Sequence, residues 1–408
     1  MTVLKKIKTL MIGSSLGQII SFITMPIITH CYSPDEIGTA TVIISYIAII
    51  TSFASLGYGN AIFVSNLSNI RLELSNVAFL LGIVVSTLFA FPFFYFYLSF
   101  ELYVAIISSL LVITSTLSII ILNRHTVNGD IKRIRDYNII NSSFLNPIKI
   151  FMSFDPTSLS ILFSQLIRDL FIFLRFRKEV SSISNLKCEK LKYKETVKKA
   201  GNFPLYNLPN VAVNAFGALL PILSIGYIYD VSSVAMFEVA NKYTSVLAIL
   251  VASSISSVYI SEFMKNIKNE NDNLQQNMVR FLIYVIPCGA LSSVFILALV
   301  PEIIERFMPR AWNEAIVIVY TYIYYVPFLI AGTIYGRVFT IISRQGFSLS
   351  WNIFKVLSLI MLSYYAKAEG VDFLNYVKLL VFTQIFLELV RIILVYFLLS
   401  PGFIKYEK

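Results

Sequence analysis

The stretch PIITHCYSPDEIGTATVIISY, residues 26–46, decides the fold, because it contains the end of one apolar helix, a short acidic turn and the start of a returning helix. A second stretch, PILSIGYIYDVSSVAMFEVANKY at residues 221–243, has the same order. At an offset of 195 residues four positions match, pairing Pro26, Ile27, Tyr32 and Asp35 with Pro221, Ile222, Tyr227 and Asp230. An even number of predicted spans separates the copies, which predicts a parallel rather than an inverted repeat.

Composition favours lipid as the surrounding solvent. Of the 408 residues, 57% are hydrophobic and 14% are charged, and the mean hydropathy is +0.75. Soluble domains carry roughly a quarter charged residues, and a spanning helix needs about 20 apolar ones. We therefore predict an all-α polytopic membrane protein with two parallel lobes, each of six helices. The predicted spans are residues 8–29, 38–57, 76–98, 102–123, 138–154, 157–175, 204–228, 232–258, 278–299, 314–336, 347–366 and 373–399.

The lobes are predicted at residues 1–176 and 204–408, joined by a basic linker at 177–203. Of the 33 lysines and arginines, 24 fall in segments predicted to be cytoplasmic, three in outer loops and six within spans. Basic residues accumulate on the cytoplasmic side, so we expect both termini in the cytoplasm of a bacterial inner membrane. The lysine-rich run 187–199 predicts contact with anionic lipid rather than with nucleic acid.

Charged residues inside the predicted spans are the main functional signal, since each costs about 2.5–3.5 kcal/mol at a helix centre. They are Lys149, Arg168, Asp169, Glu238, Lys242, Lys355, Lys378, Glu388 and Arg391. Helical spacing pairs Glu388 with Arg391 and Glu238 with Lys242, and Lys378 lies near the outer end. Arg168 and Asp169 are neighbours, so we expect their side chains to point apart, and Lys355 has no acidic residue at helical spacing.

The excess of positive charge predicts a cavity for an anionic substrate, with Arg168, Lys149, Lys242 and Lys355 as ligands of its head group. Asp169 and Glu238 are candidate coupling acids, with H⁺ and Na⁺ both open as the coupling ion. The alternative is that every charge is matched within the protein.

Polar stripes follow two helices at helical spacing, Ser14, Gln18 and Ser21 in the first span and Asn207, Asn210, Asn214 and Gly217 in the seventh. Small polar residues commonly mediate helix packing in membranes, which explains the serines and the glycine. Gln18, Asn210 and Asn214 are larger amides, and we assign them as candidate contacts for sugars or for a wet cavity.

Patterns typical of soluble enzymes are missing from the sequence. His30 and His125 are the only histidines and are predicted on opposite sides of the membrane. No GxxxxGK[ST] or GxGxxG motif is present, and the three cysteines have no metal-binding spacing. We therefore expect no catalytic residue, no cofactor and no metal site, and a protein that is not an enzyme.

Several stretches resemble the polysaccharide transporters of the multidrug/oligosaccharidyl-lipid/polysaccharide (MOP) superfamily, and within them the O-antigen (Wzx-type) flippases. The stretches are SSLGQIISFITMPIITHCYSPDEIG from Ser14, SLGYGNAIF from Ser55, GNFPLYNLPNVAVNAFGALLPI from Gly201 and PRAWNEA from Pro309. The last one lacks the glycine that usually precedes the tryptophan. The resemblance implies a V-shaped pair of six-helix lobes that rock between inward-open and outward-open states.

The resemblance also implies a substrate and partners. The substrate would be undecaprenyl pyrophosphate carrying one oligosaccharide repeat, moved from the cytoplasmic to the periplasmic leaflet, with a polymerase and a chain-length protein as contacts. One rival is a multidrug or cation antiporter of the same superfamily, which the excess of basic charge disfavours. Another is a membrane-embedded polymerase or acyltransferase, which would need a larger outer loop than residues 301–313. A scaffold without transport would leave the intramembrane charges without a purpose.

Overall fold

The computed structural model describes residues 3–63, 70–184, 196–201, 203–246, 248, 252, 274–335 and 345–400. Their regular structure is helical, without a strand. The first half contains α1 (Val3–Cys31), α2 (Pro34–Ala54), α3 (Arg71–Tyr97), α4 (Leu102–Asn128), α5 (Ile131–Ser143 and Leu145–Phe151), α6 (Ser158–Arg175) and the short α7 (Arg177–Ser184). The second half contains α8 (Leu208–Ile228), α9 (231–246), α10 (Leu274–Phe307), α11 (Arg310–Tyr335), α12 (Gln345–Ala368) and α13 (Phe373–Leu398).

A helix lies at each of the twelve predicted spans, although residues 247, 249–251 and 253–258 of the eighth span and residue 336 of the tenth lie outside the described residues. α7 and Tyr58–Ala61 are additional short helices. In the described parts of the chain, eight helices are long and apolar enough to cross a bilayer. Many large apolar side chains lie on the outside of the helices, among them Leu88 (75% exposed) and Met361 (72% exposed). Apolar surface of this extent suits contact with lipid, and backbone hydrogen bonds closed within helices satisfy the polar groups of the chain. The chain is a multi-pass membrane protein.

The chain divides into two compact units, Met1–Leu223 and Ser224–Lys408. The predicted linker at 177–203 includes α7, while residues 185–195 and 202 of it lie outside the described residues. Most of the basic run 187–199 therefore also lies outside them. The division into lobes at 177–203 stays a prediction.

The fifth predicted span is interrupted in the structure, as Pro147 suggested. It begins at Ile131, earlier than predicted, and is interrupted at Phe144 between its two helical pieces. Proline lacks a backbone N–H and its ring collides with the carbonyl four residues earlier, here that of Ser143. The helix therefore breaks one turn before Pro147, and the second piece restarts at Leu145.

The repeat appears as matching turns at the predicted outer ends. Ser33 caps α2 by accepting a hydrogen bond from the N–H of Glu36, and Asp230 likewise accepts one from the N–H of Ser233, 2.6 Å away. The preceding tyrosines match too, since Tyr32 Oη donates to the carbonyl of Lys149 and Tyr229 Oη to that of Val371, both at 2.8 Å.

These pairs place the repeat at an offset of 197 residues, two more than the letters alone predicted, because Tyr32 corresponds to Tyr229 and Ser33 to Asp230. Burial raises the pKa of both phenols to about 12. Each phenol therefore stays protonated and remains a donor at every physiological pH.

Candidate functional site

Arg168 and Asp169 form an ion pair inside the first unit. Nη2 and Nε of Arg168 lie 2.8 and 3.1 Å from Asp169 Oδ1 and donate hydrogen bonds to it. Thr114 Oγ1 on α4 donates to Asp169 Oδ2 at 2.7 Å, and the Asp169 side chain is fully buried. The expectation that these neighbours point apart was wrong, because the side chain of Arg168 is long enough to reach the carboxylate of the adjacent residue.

A cavity of about 240 Å³ lies between α2, α4 and α6, close to this pair. Gln165 lines it one helical turn before Asp169, and Thr51 and Ser115 contribute hydroxyl groups. The Thr51 hydroxyl is buried and has no hydrogen-bond partner among the described residues. The rest of the lining is mostly apolar, comprising Ile44, Ile47, Ala48, Ser52 and Ile119. At about 240 Å³ the cavity is small.

The polar stripe of α1 packs against α5. A side-chain atom added at Gly17 would overlap Ser142, so glycine is required for this close approach. Asn146 Nδ2 donates to Thr24 Oγ1 at 2.9 Å. Gln18 is half-buried, and within the described part of the chain its Oε1 has no hydrogen-bond partner. Packing thus explains the small residues of the stripe, while the amide of Gln18 remains available to a polar guest.

The other amide candidates and Lys149 lie in less enclosed surroundings. Asn214 is exposed on α8, while Asn210 is half-buried and makes polar contact. Lys149 is half-buried near the end of α5, where its carbonyl accepts the hydrogen bond of Tyr32. Their predicted contacts with a sugar or a head group stay predictions.

The second unit contains a larger polar network. Lys242 and Glu238, one turn apart on α9, stabilise each other electrostatically, as their spacing suggested. Glu238 also lies within electrostatic range of the buried phenol of Tyr322 on α11. Tyr322 Oη donates to Gln384 Oε1 on α13 at 3.4 Å, so the network continues to a third helix.

Lys355, Glu388 and Arg391 form the other part of this network. The predicted pairing of Glu388 with Arg391 is confirmed, since the Glu388 carboxylate contacts Arg391 Nη2. Lys355 on α12 interacts electrostatically with both of these charges. Its acidic partner comes from the next helix in the chain, which helical spacing within α12 could not reveal. Tyr325 is buried beside Tyr322 and within electrostatic range of Glu388, and so connects the two parts.

The charges within the predicted spans leave an excess of cations in each unit. Of the nine charges in the predicted spans, the first unit holds Lys149 and Arg168 against Asp169, whereas the second holds Lys242, Lys355, Lys378 and Arg391 against Glu238 and Glu388. In a low-dielectric interior, an unbalanced positive charge attracts an anion more strongly than it would in water. The second unit has the larger excess and the larger group of such charges, and is therefore the part better suited to an anionic group.

Three residues of this network were missed in the sequence, namely Tyr322, Tyr325 and Gln384. Tyrosines are common in interfacial belts, so nothing in the sequence distinguishes these two from the others. Gln384 lies one turn before Glu388 on α13, and this polar spacing was the available signal. Across the described ranges, no group of three His, Cys, Asp or Glu residues is placed to hold a metal ion.

Comparison with known proteins adds a family and a fold. A family model described as "Polysaccharide biosynthesis protein" matches residues 27–317. No curated protein sequence matches the chain.

Solved structures match over nearly the whole length. The lipid II flippase MurJ in an inward closed conformation aligns with a TM-score of 0.63 at 13% identity, covering 95% of this chain and 86% of that one. An inward-facing multidrug resistance MATE family transporter of the MOP superfamily aligns at 0.61 and 13% identity, covering 98% and 95%. A MOP superfamily transporter from Pyrococcus furiosus aligns at 0.58 and 13% identity, covering 99% and 96%. The fold is that of MOP superfamily transporters and flippases.

Proposed function

The chain belongs to the polysaccharide biosynthesis protein family and has the MOP superfamily fold, and from this we propose that it is a flippase for a lipid-linked oligosaccharide. The substrate is an oligosaccharide repeat unit on undecaprenyl pyrophosphate, for O-antigen or a related surface polysaccharide. The protein moves it from the cytoplasmic to the periplasmic leaflet of the inner membrane by alternating access. Polymerase and chain-length proteins are its proposed partners.

One observation carries the proposal, namely the excess of cations over carboxylates within the helices of the second unit. A pyrophosphate supplies the missing negative charge, which makes an anionic head group a better guest than a cationic drug. We assign Lys242 and Lys355 as its ligands there, with Lys149 and Arg168 as further ligands in the first unit. Gln18, Asn210 and Asn214 are the proposed contacts to sugars.

Asp169 and Glu238 are the proposed coupling acids. Asp169 is the more enclosed, being fully buried and held by Thr114 and Arg168. Glu238 faces Lys242 on its own helix. The coupling ion, H⁺ or Na⁺, stays open.

Deleting the gene tests this function. Lipid-linked repeat units are expected to accumulate on the cytoplasmic leaflet, because a pyrophosphate and its sugars cross hydrocarbon too slowly unaided. The measurement is extraction of radiolabelled lipid-linked sugars, with the leaflet identified by their accessibility to an impermeant glycosidase in oriented vesicles. Complementation by the intact gene is the control. A deletion strain with normal surface polysaccharide and no accumulation contradicts the proposal.

A multidrug antiporter is the rival to be separated from it. Such a protein takes up cations, so everted vesicles containing this protein would accumulate a cationic dye when energised. Dye transport without any effect on lipid-linked sugars would support the rival.

A further inference from the structure

Glu388 and Arg391 pair on the C-terminal half of α13, and Lys355 in the middle of α12 interacts electrostatically with both. The Arg391 side chain is 17% exposed and that of Glu388 is 8% exposed. Glu388 contacts Nη2 of Arg391, whereas the buried Nε of Arg391 has no hydrogen-bond partner within the described part of the chain. Lys355 lies within electrostatic range of both. The pair thus leaves one edge of the guanidinium group unused.

Gly332 on α11 makes room for this arrangement. A Cβ atom at that position would overlap both the Arg391 guanidinium and the Glu388 carboxylate. The neighbouring residues Ile330, Ala331 and Ile334 are fully buried, so α11 has little freedom to move away. Because Gly332 has no side chain, the guanidinium group packs closely against α11, and this packing helps to fix its orientation.

We propose that Lys355 and Arg391 form a phosphate-binding subsite in the second unit, with Glu388 and Gly332 as the residues that position Arg391. The inference rests on the proposed function and names the place where the pyrophosphate of the substrate binds. The ammonium of Lys355 offers three donors, and Nε–H of Arg391 offers a directed one. Charge-assisted hydrogen bonds to an oxyanion are roughly twice as strong as neutral ones.

Glu388 serves two purposes in this subsite. Its carboxylate contacts Nη2 of the guanidinium group, which leaves Nε–H available to the anion, and it reduces the summed charge of Lys355 and Arg391 from two to one. Its own negative charge also repels the bound phosphate, which weakens binding. A carrier must release its substrate on the far side, so moderate affinity is a functional requirement rather than a defect.

Binding of inorganic pyrophosphate to the purified full-length protein in zwitterionic nanodiscs tests the subsite. Glu388→Gln retains an acceptor for Nη2 and removes the repelling charge, so we expect the affinity for pyrophosphate to rise about tenfold. Lys355→Ala and Arg391→Lys each lose donors, so the affinity should fall about tenfold. Gly332→Ala should also weaken binding. Isothermal titration calorimetry gives the dissociation constants, and thermal unfolding verifies that each variant is folded.

Two variants serve as matched controls. Glu302→Gln removes a carboxylate from an exposed pair with Arg306 on α10, and Lys378→Ala removes an exposed lysine that bonds Asn375 on α13. Their changes in net charge match those of Glu388→Gln and Lys355→Ala, and both should leave pyrophosphate binding unchanged. Equal effects in control and test variants would show a general charge effect and overturn the subsite.

Other outcomes are equally decisive. A folded Glu388→Gln protein that binds no more tightly, or a Lys355→Ala protein that binds as the wild type does, overturns the proposal. Should Glu388→Gln fail to fold, Lys355→Ala and Arg391→Lys carry the test.

Nanodiscs containing phosphatidylglycerol separate the two sources of phosphate, because loss of pyrophosphate binding there would assign the subsite to a phospholipid head group. If wild-type protein binds no pyrophosphate while the deletion strain accumulates lipid-linked sugars, the subsite fails and the flippase function stands. If the wild-type protein binds pyrophosphate while the deletion strain accumulates no lipid-linked sugars, the subsite stands and the flippase function fails.

Discussion

Arg168 is tied to Asp169 within a single turn of α6, and the carboxylate of Asp169 is fully buried. Removing one partner of a buried ion pair leaves the other charge buried without compensation, which destabilises the folded state by about 3–5 kcal/mol. We therefore expect Arg168→Ala to lower the free energy of unfolding by about that amount, and the double variant Arg168→Ala/Asp169→Ala to recover most of it. Thermal unfolding of the purified protein in a double-mutant cycle measures the coupling.

The exposed pair of Glu302 and Arg306 provides the control for this cycle. Their side chains are 51% and 70% exposed, so water screens their attraction and Arg306→Ala should cost less than ~1 kcal/mol. A double variant no more stable than Arg168→Ala alone would show that the stranded carboxylate is not the source of the loss.

At the residue scale, the sequence could predict only those pairs that helical spacing creates. Glu388 and Arg391 are three positions apart and do meet. The partner of Lys355 depends on which helix packs beside α12, and the room for that cluster depends on Gly332 of a third helix. Both are tertiary facts. The pairing of Arg168 with Asp169 depends on a side-chain rotamer, which sequence spacing does not encode.

The tyrosine at the predicted outer end of each repeat ties neighbouring helical segments together. Tyr32 links the end of α1 to α5, and Tyr229 links the end of α8 to the turn after α12, each through one hydrogen bond to a carbonyl. A typical hydrogen bond contributes 0.5–1.5 kcal/mol net, so Tyr32→Phe and Tyr229→Phe should each lower the free energy of unfolding by about 1 kcal/mol. Thermal or denaturant unfolding in detergent measures this loss.

The pH dependence of this tie follows from the raised pKa of both phenols. Each pKa lies at about 12 in the folded protein against an ordinary value near 10. A raised pKa means that the stabilisation is complete below pH ~10 and is lost as the pH rises through 12. Tyr227→Phe is the control, since the Tyr227 side chain is 74% exposed. The ring of Tyr227 contacts the ammonium of Lys367, and a phenylalanine ring keeps that contact. Equal losses in all three variants would contradict the tie.

At the element scale, hydropathy predicted nearly every helix, because an apolar segment in a bilayer must satisfy its backbone hydrogen bonds internally and a helix does so. The ends were less predictable. α5 begins earlier than its apolar run, since residues such as Lys132 and Arg133 continue the helix beyond hydrocarbon. The predicted offset between the two copies of the repeat was two residues too small. Residue identities in a turn can match by chance, whereas matching capping hydrogen bonds identify equivalent positions.

At the scale of the whole molecule, the fold was predictable and the arrangement of charges was not. The family match and the MOP fold agree with the resemblance in the sequence. Hydropathy and repeats arise from local sequence, whereas a charged network arises from the packing of four helices. The net excess of cations within spans was nevertheless visible in the composition of the spans, and six of the nine charges lie in the second unit.

The orientation of the molecule rests on the distribution of basic residues, 24 in the predicted cytoplasmic segments against three in the outer loops. In a variant without Cys31, Cys188 and Cys288, a cysteine replacing Lys367 in the last turn of α12 should react with an impermeant maleimide when spheroplasts are intact. A cysteine replacing Lys178 in α7 should react only after permeabilisation, because the basic α7 is predicted on the cytoplasmic side. The opposite pattern would reverse the topology, and with it the direction in which the proposed substrate moves. Labelling at both positions in intact spheroplasts would instead mean that the two segments share one side, which an odd number of spans between them forbids.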